Sequence, residues 1–200
     1  MNARGITALV LAGGRAERMG GMDKGWVELA GRPLIERVIE RIAPQVGSLC
    51  ISANRHADRY ATLGYPVFAD DEAGYLGPLA GVVTAMRRLA SSHWLVVPCD
   101  TPFLPLDLVA RLAATQAASG ADIVVAADAA HQHNAVFLAS ASVLPGLEQH
   151  LASGKRSIGG WQGGCRHAYC LFDDESAFAN VNSPDELARF AAGPGSAAAS

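Results

Sequence analysis

The sequence predicts an α/β fold with a mostly parallel sheet and helices on both faces. Short β-branched apolar runs alternate with amphipathic segments along the chain. One run, within residues 93–97 (HWLVV), is apolar from the tryptophan onward, as a strand covered on both faces must be. The first run, TALVL at 7–11, leads straight into a glycine-rich loop at 13–25.

Each element follows from local pattern. Over 34–43, Leu34, Ile35, Val38, Ile39 and Ile42 recur at helical spacing, behind Pro33, whose missing N–H costs little at a helix start. Residues 49–53 read as a second strand, and Val67 and Phe68 open a third that ends at Asp70. A helix is expected over 78–90, a fourth strand over 93–97, a helix over 107–118 and strands over 122–126 and 135–138. A helix over 143–151 follows, and 154–164 is rich in glycine and basic residues without a clear period. Ser183-Pro184-Asp185-Glu186 is a capping box that starts a helix running to Phe190. The reading is one domain over 1–190, with a small-residue tail over 191–200.

Composition narrows the function. Half the residues are hydrophobic and 18% are charged, which excludes a disordered chain. A net charge of -3 and a pI near 6.0 argue against a nucleic-acid binder, whose domain pI usually exceeds about 9. No apolar run reaches the roughly 18 residues of a membrane span, and the first apolar run is too short for a signal peptide. Cys50, Cys99, Cys165 and Cys170 form no CxxC pair and read as free thiols of a cytoplasmic protein. Residues 1–60 hold nine Arg/Lys against six Asp/Glu, and the remainder seven against thirteen. That asymmetry suits a cleft holding an anion and a metal ion, although solvated surface charge gives similar sums.

Three segments carry chemistry. In LAGGRAERMGGMDK (11–24), glycines let backbone N–H groups approach a phosphate, while Arg15, Arg18 and Lys24 supply positive charge. Neither GxxxxGK[ST] nor GxGxxG is present. In VVPCDTP (96–102), Asp100 falls just past a buried strand, where open α/β sheets bind ligands; an Asp there holds Mg²⁺ or caps the following turn. Asp70 also ends a strand, ahead of the glycine-rich run 74–81. Gly13, Lys24, Asp70 and Asp100 must converge at one sheet edge if they form a site. Asn182 precedes the last helix and Arg55 follows the second strand, where it could meet an anion. His131 and His133 lie in an expected loop without a third metal ligand and read as solvent-facing. Trp26, Trp94 and Trp161 read as packing residues.

From about Thr7 to Phe190 the chain resembles molybdenum cofactor guanylyltransferases, within the Rossmann-like three-layer nucleotidyltransferases. LAGG–RMGG–DKG, SANRH, GPLAG, PCDTP and NVNSPDEL stand in the family's order. LAGG, where related cytidylyltransferases tend to have LAAG, favours guanine. The resemblance implies that Leu11, Ala12 and Gly13 bind GTP and that Lys24 contacts its phosphates. It implies that Asp70 binds the nucleotide, that Asp100 binds GTP and coordinates Mg²⁺, and that Asn182 faces the pterin. Lys24 and Asp100 are the implied catalytic residues. A member of the family has Asn, at a position associated with nucleotide binding, where this chain has Ser52, which keeps a hydroxyl but no amide, and 157–165 is unusually glycine-rich.

The implied reaction joins GMP from GTP to the terminal phosphate of molybdenum-molybdopterin and releases pyrophosphate. Cofactor-delivery proteins and recipient molybdoenzymes are the implied partners, with no nucleic acid and no membrane. The competing readings are a cytidylyltransferase on the same pterin, a sugar-phosphate nucleotidyltransferase, and a GTP-dependent cofactor carrier without turnover.

Overall fold

The computed structural model describes residues 5–12, 15–16, 22–70, 77–181 and 183–191. Along the chain run β1 (Ile6–Leu11), β2 (Arg15–Ala16), β3 (Met22–Asp23), β4 (Glu28–Leu29), β5 (Arg32–Pro33), α1 (Leu34–Ile42) and β6 (Ser48–Ser52). Next come α2 (Ala57–Ala61), β7 (Val67–Phe68), α3 (Pro78–Arg88), β8 (His93–Pro98), α4 (Leu108–Ser119) and β9 (Ile123–Ala127). The series closes with β10 (Gln132–Ser140), α5 (Leu144–Ala152), α6 (Ile158–Gln162), β11 (His167–Leu171) and α7 (Pro184–Ala191).

The central sheet has the order β11-β9-β10-β8-β1-β6-β7. β7, β6, β1 and β8 are mutually parallel, as are β9 and β11, while β10 runs antiparallel between β8 and β9. Two small hairpins, β2–β3 and β4–β5, stand apart from it. Successive side chains of a strand point to opposite faces, and both faces here are apolar. Ala8, Val10, Ile51, Val97 and Leu138 pack with Ile35, Val38 and Ile42 of α1 and Leu108 and Leu112 of α4. Leu9, Cys50, Val96 and Phe137 pack on the other side with Leu79, Val82 and Met86 of α3 and Leu147 of α5. This is the three-layer arrangement the alternating pattern predicts.

The helix expected over 34–43 is α1, and the serine cap of the last helix is formed, with Glu186 N donating to Ser183 Oγ at 3.2 Å. Other elements gave weaker signals. α2 has five residues, too few for a period, and is reached through His56 in a left-handed turn at φ +53°. α6 (IGGWQ) contains two poor helix formers and is started by Ser157, whose Oγ accepts from Gly160 N at 3.1 Å. β11 is an edge strand whose residues alternate too weakly to mark it. β10 is longer than the expected 135–138 because it starts in polar residues. All of the expected tail beyond Ala191 lies outside the described residues.

Candidate active site at the carboxyl edge of the sheet

Strand register brings the site together. Leu11 lies opposite Ser52 on one side and Pro98 on the other, so β1, β6 and β8 end in one row. Just beyond, Ala12 N donates to Ser52 O at 2.8 Å and Cys99 N to Leu11 O at 3.1 Å, carrying the pairing past the strand ends. A cavity of about 740 Å³ opens there, lined by Leu11, Lys24, Ser52, Asp70 and Asp100 among others. This is where parallel sheets bind ligands.

Lys24 Nζ lies 3.1 Å from Asp100 Oδ2, with the Asp100 side chain only 11% exposed. The lysine is placed by a short turn over Lys24–Trp26. Its cap is Asp23, whose Oδ1 accepts from Gly25 N at 3.3 Å. Tyr60, fully buried on α2, donates its phenol proton to the same Asp23 oxygen. A Cβ on Gly25 would stand 2.5 Å from Tyr60 Oη, so the turn and the tyrosine fit only without a side chain there. Burial above all, then the neighbouring Cys99 and Asp23, pushes the Tyr60 phenol far up, so it stays a donor. Burial likewise drives the Cys99 thiol well above its ordinary value, with Asp100 and Asp23 adding to the effect.

On the β6–β7 side, Asn54 clamps Asp70 twice. Its Nδ2 donates to Asp70 Oδ2 at 2.7 Å, and its Oδ1 accepts from Asp70 N at 2.7 Å. Gly81 of α3 approaches so closely that a Cβ there would overlap the Ser52 hydroxyl and lie 3.0 Å from Ser52 Cβ. The buried hydroxyl of Ser52 and the Asp70 carboxylate thus form one polar wall.

The opposite wall comes from β10. Because β10 is antiparallel, its first residues reach the ligand edge. His133 pairs with Ala126 and Phe137 with Val125, so three residues of β10 bulge out between them. Asn134, Ala135 and Val136 of that bulge line the cavity. Gln162 Nε2 donates to Asn134 O at 3.0 Å and ties α6 to it. The two histidines expected to face solvent part company here. His131 is exposed, but the His133 side chain is only 18% exposed and lines the cavity. The strand's antiparallel course, invisible as a loop in the sequence, turns it inward.

The structure brings Leu11, Lys24, Asp70 and Asp100 into one cavity. Ala12 is buried and is not among the lining residues, while Gly13 and Asn182 lie outside the described residues. Asn180, two residues before Asn182, does line the cavity. Ser52, Asn54, Gly81, His133 and Phe178 join the site without having been assigned to it. SANRH and GPLAG mark the first three, whereas nothing in the sequence marks Phe178. Among the described residues no cluster of three or more His, Cys, Asp or Glu forms a metal-ligating group. A single cleft carboxylate such as Asp100 fits Mg²⁺, which takes one or two carboxylates beside substrate phosphate oxygens.

The profile of the MobA-like NTP transferase domain family matches residues 8–165. The molybdenum cofactor guanylyltransferase of Shewanella woodyi is 46% identical over 187 residues, covering 93% of this chain and 95% of that protein. The protein of the same name from Shewanella amazonensis is 48% identical over 183 residues, covering 91% and 93%. Among solved structures, molybdopterin-guanine dinucleotide biosynthesis protein A of Archaeoglobus fulgidus superposes with a TM-score of 0.77 at 25% identity, covering 92% and 95% of the two chains. With its sheet order, its cleft at the strand ends and these relatives across nearly its full length, the chain belongs to the molybdenum cofactor guanylyltransferase family of nucleotidyltransferases.

Proposed function

We propose that this enzyme transfers GMP from GTP to the terminal phosphate of molybdenum-molybdopterin. A phosphate oxygen of the acceptor bonds to the α-phosphorus, the bond from that phosphorus to the β-phosphate bridge breaks, and pyrophosphate leaves. The product is the guanine dinucleotide form of the cofactor. The carrying observation is the meeting of Lys24, Asp70 and Asp100 in one cavity, in a chain of this family. The acceptor phosphate is already an anion at neutral pH, so the step needs no general base. It needs position and charge neutralisation.

Asp70, clamped by Asn54, and Ser52 take the nucleoside half of GTP. Leu11, Ala12 and Gly13 bring the β1 loop against the nucleotide, and Lys24 holds its phosphates and offsets the charge that develops on pyrophosphate. Asp100 would hold Mg²⁺, which would supply charge neutralisation for the phosphates. Asn182 belongs to the pterin side. The substrates place the enzyme in the cytoplasm, handing product to delivery proteins and recipient molybdoenzymes. Among the described residues no helix is long and apolar enough to cross a membrane.

Transfer is tested with GTP labelled at the α-phosphate. Label appearing in the pterin product supports the reading. Label remaining in GTP, with competent acceptor and Mg²⁺ present, refutes it.

A further inference from the structure

The wall beyond Asp100 has its own chemistry. In the sheet order, β10 lies across β8 from β1, β6 and β7, whose ends form the nucleotide half. His133 is fixed on that wall by two contacts. Its Nε2 meets Asp128 Oδ2 at 2.6 Å, and its ring stacks on Phe178 with centroids 4.4 Å apart and planes 18° apart. Phe178 is itself braced edge-on by Phe172 at 5.1 Å.

Asp128 is well secured. Its side chain is 1% exposed, and its Oδ1 accepts from Ala130 N at 2.8 Å and His131 N at 2.7 Å. Burial pushes its carboxyl up, but these two amides and the His133 ring together hold it below the usual carboxylate range. The ionised carboxylate therefore takes the Nε2–H of His133, which leaves Nδ1 as the remaining polar atom of the ring. Nδ1 has no hydrogen-bond partner among the described residues. With Nε2 committed to Asp128, Nδ1 is left for a ligand, and a phosphate monoester suits it, because its oxygens accept from a ring N–H and its P–OH donates to a bare ring nitrogen.

Charge makes the same point. The reaction must bring an anionic acceptor against a triphosphate. Among the described residues that line the cavity, only Lys24 and His133 have basic side chains, and Lys24 stands on the nucleotide side beside Asp100. We propose that His133 binds the terminal phosphate of the acceptor, with Asp128 and Phe178 as the residues that position it. This assignment rests on the guanylyl-transfer reading above, and it adds a specificity residue for the second substrate.

The test compares wild type with His133→Gln and His133→Lys. Steady-state assays give KM for GTP and for molybdenum-molybdopterin, quenching of pterin fluorescence gives the acceptor Kd, and thermal melting checks the fold. For His133→Gln, acceptor Kd and KM should rise about 10–100-fold, the loss expected for a hydrogen bond to a charged group. KM for GTP should stay within about twofold, and His133→Lys, which keeps a basic group beside Asp128, should recover part of the loss. An acceptor Kd unchanged in a His133→Gln protein with wild-type melting overturns the assignment. So does an equal rise in both KM values, or a His133→Lys protein no better than His133→Gln. If wild type binds the acceptor but transfers no GMP, the transfer reading falls and the Kd comparison still decides the contact.

Discussion

Lys24 Nζ meets Asp100 Oδ2 at 3.1 Å although the two lie 76 positions apart in the chain. The contact joins the turn after β3 to the end of β8. Each group offsets the charge of the other in a poorly solvated place, where a lone charge would be costly. In the proposed reaction Lys24 would meet the nucleotide phosphates and Asp100 would hold Mg²⁺.

Lys24→Ala should lower kcat about 10²–10³-fold, the usual loss for one preorganised donor to developing charge. Asp100→Asn should lower kcat by at least as large a factor, and added Mg²⁺ should not restore it. The double variant should lose less than the two single losses combined, because the residues touch. Additive losses in initial-rate assays would separate the two roles.

Tyr60→Phe removes the donor to Asp23 and loosens the turn that carries Lys24. Stability should fall by roughly 1–2 kcal/mol, and KM for GTP should rise. Gly25→Ala should raise it as well, because its Cβ meets Tyr60 Oη at 2.5 Å. Urea melts and GTP titrations of both variants read this out, and unchanged GTP affinity would disconnect Tyr60 from the site.

Gly81→Ala should cost about 1–3 kcal/mol by overpacking against Ser52. Ser52→Ala in the same chain should relieve part of it by removing the hydroxyl, leaving the 3.0 Å approach to Cβ. Chemical denaturation of the two single variants and the double variant checks this. A double variant less stable than the sum of the single losses would place the strain elsewhere.

Asp122 and Arg166 join β9 to the edge strand β11, with Nε–Oδ2 at 2.9 Å and Nη2–Oδ1 at 2.7 Å. The Arg166 hydrogen bonds hold the Asp122 carboxyl below its ordinary value. A depressed folded-state value stabilises fully above the unfolded value of about 4 and is lost as pH falls through the folded one. The stability gap between wild type and Asp122→Asn should therefore be present at pH 7 and close in acid. A gap that widens in acid would contradict the pairing.

The sequence shows strand ends more readily than what faces them. TALVL and HWLVV announce β1 and β8, and Asp100 follows from its place after β8. Lys24 is legible as a charge in a glycine loop, but its support by Tyr60 is not, because α2 is too short to have a period. His133 reads as a loop residue because β10 opens with polar residues and is interrupted by a bulge. Its partners Asp128 and Phe178 reach it from a turn and from the segment before α7, and no local pattern links them.

Guanylyl transfer is tested most directly by pyrophosphate release with GTP, Mg²⁺ and molybdenum-molybdopterin, run beside CTP and beside a reaction lacking the pterin. Release only with GTP and pterin together is the predicted result. Release with CTP instead, or GTP binding without release when the pterin is competent, would contradict it.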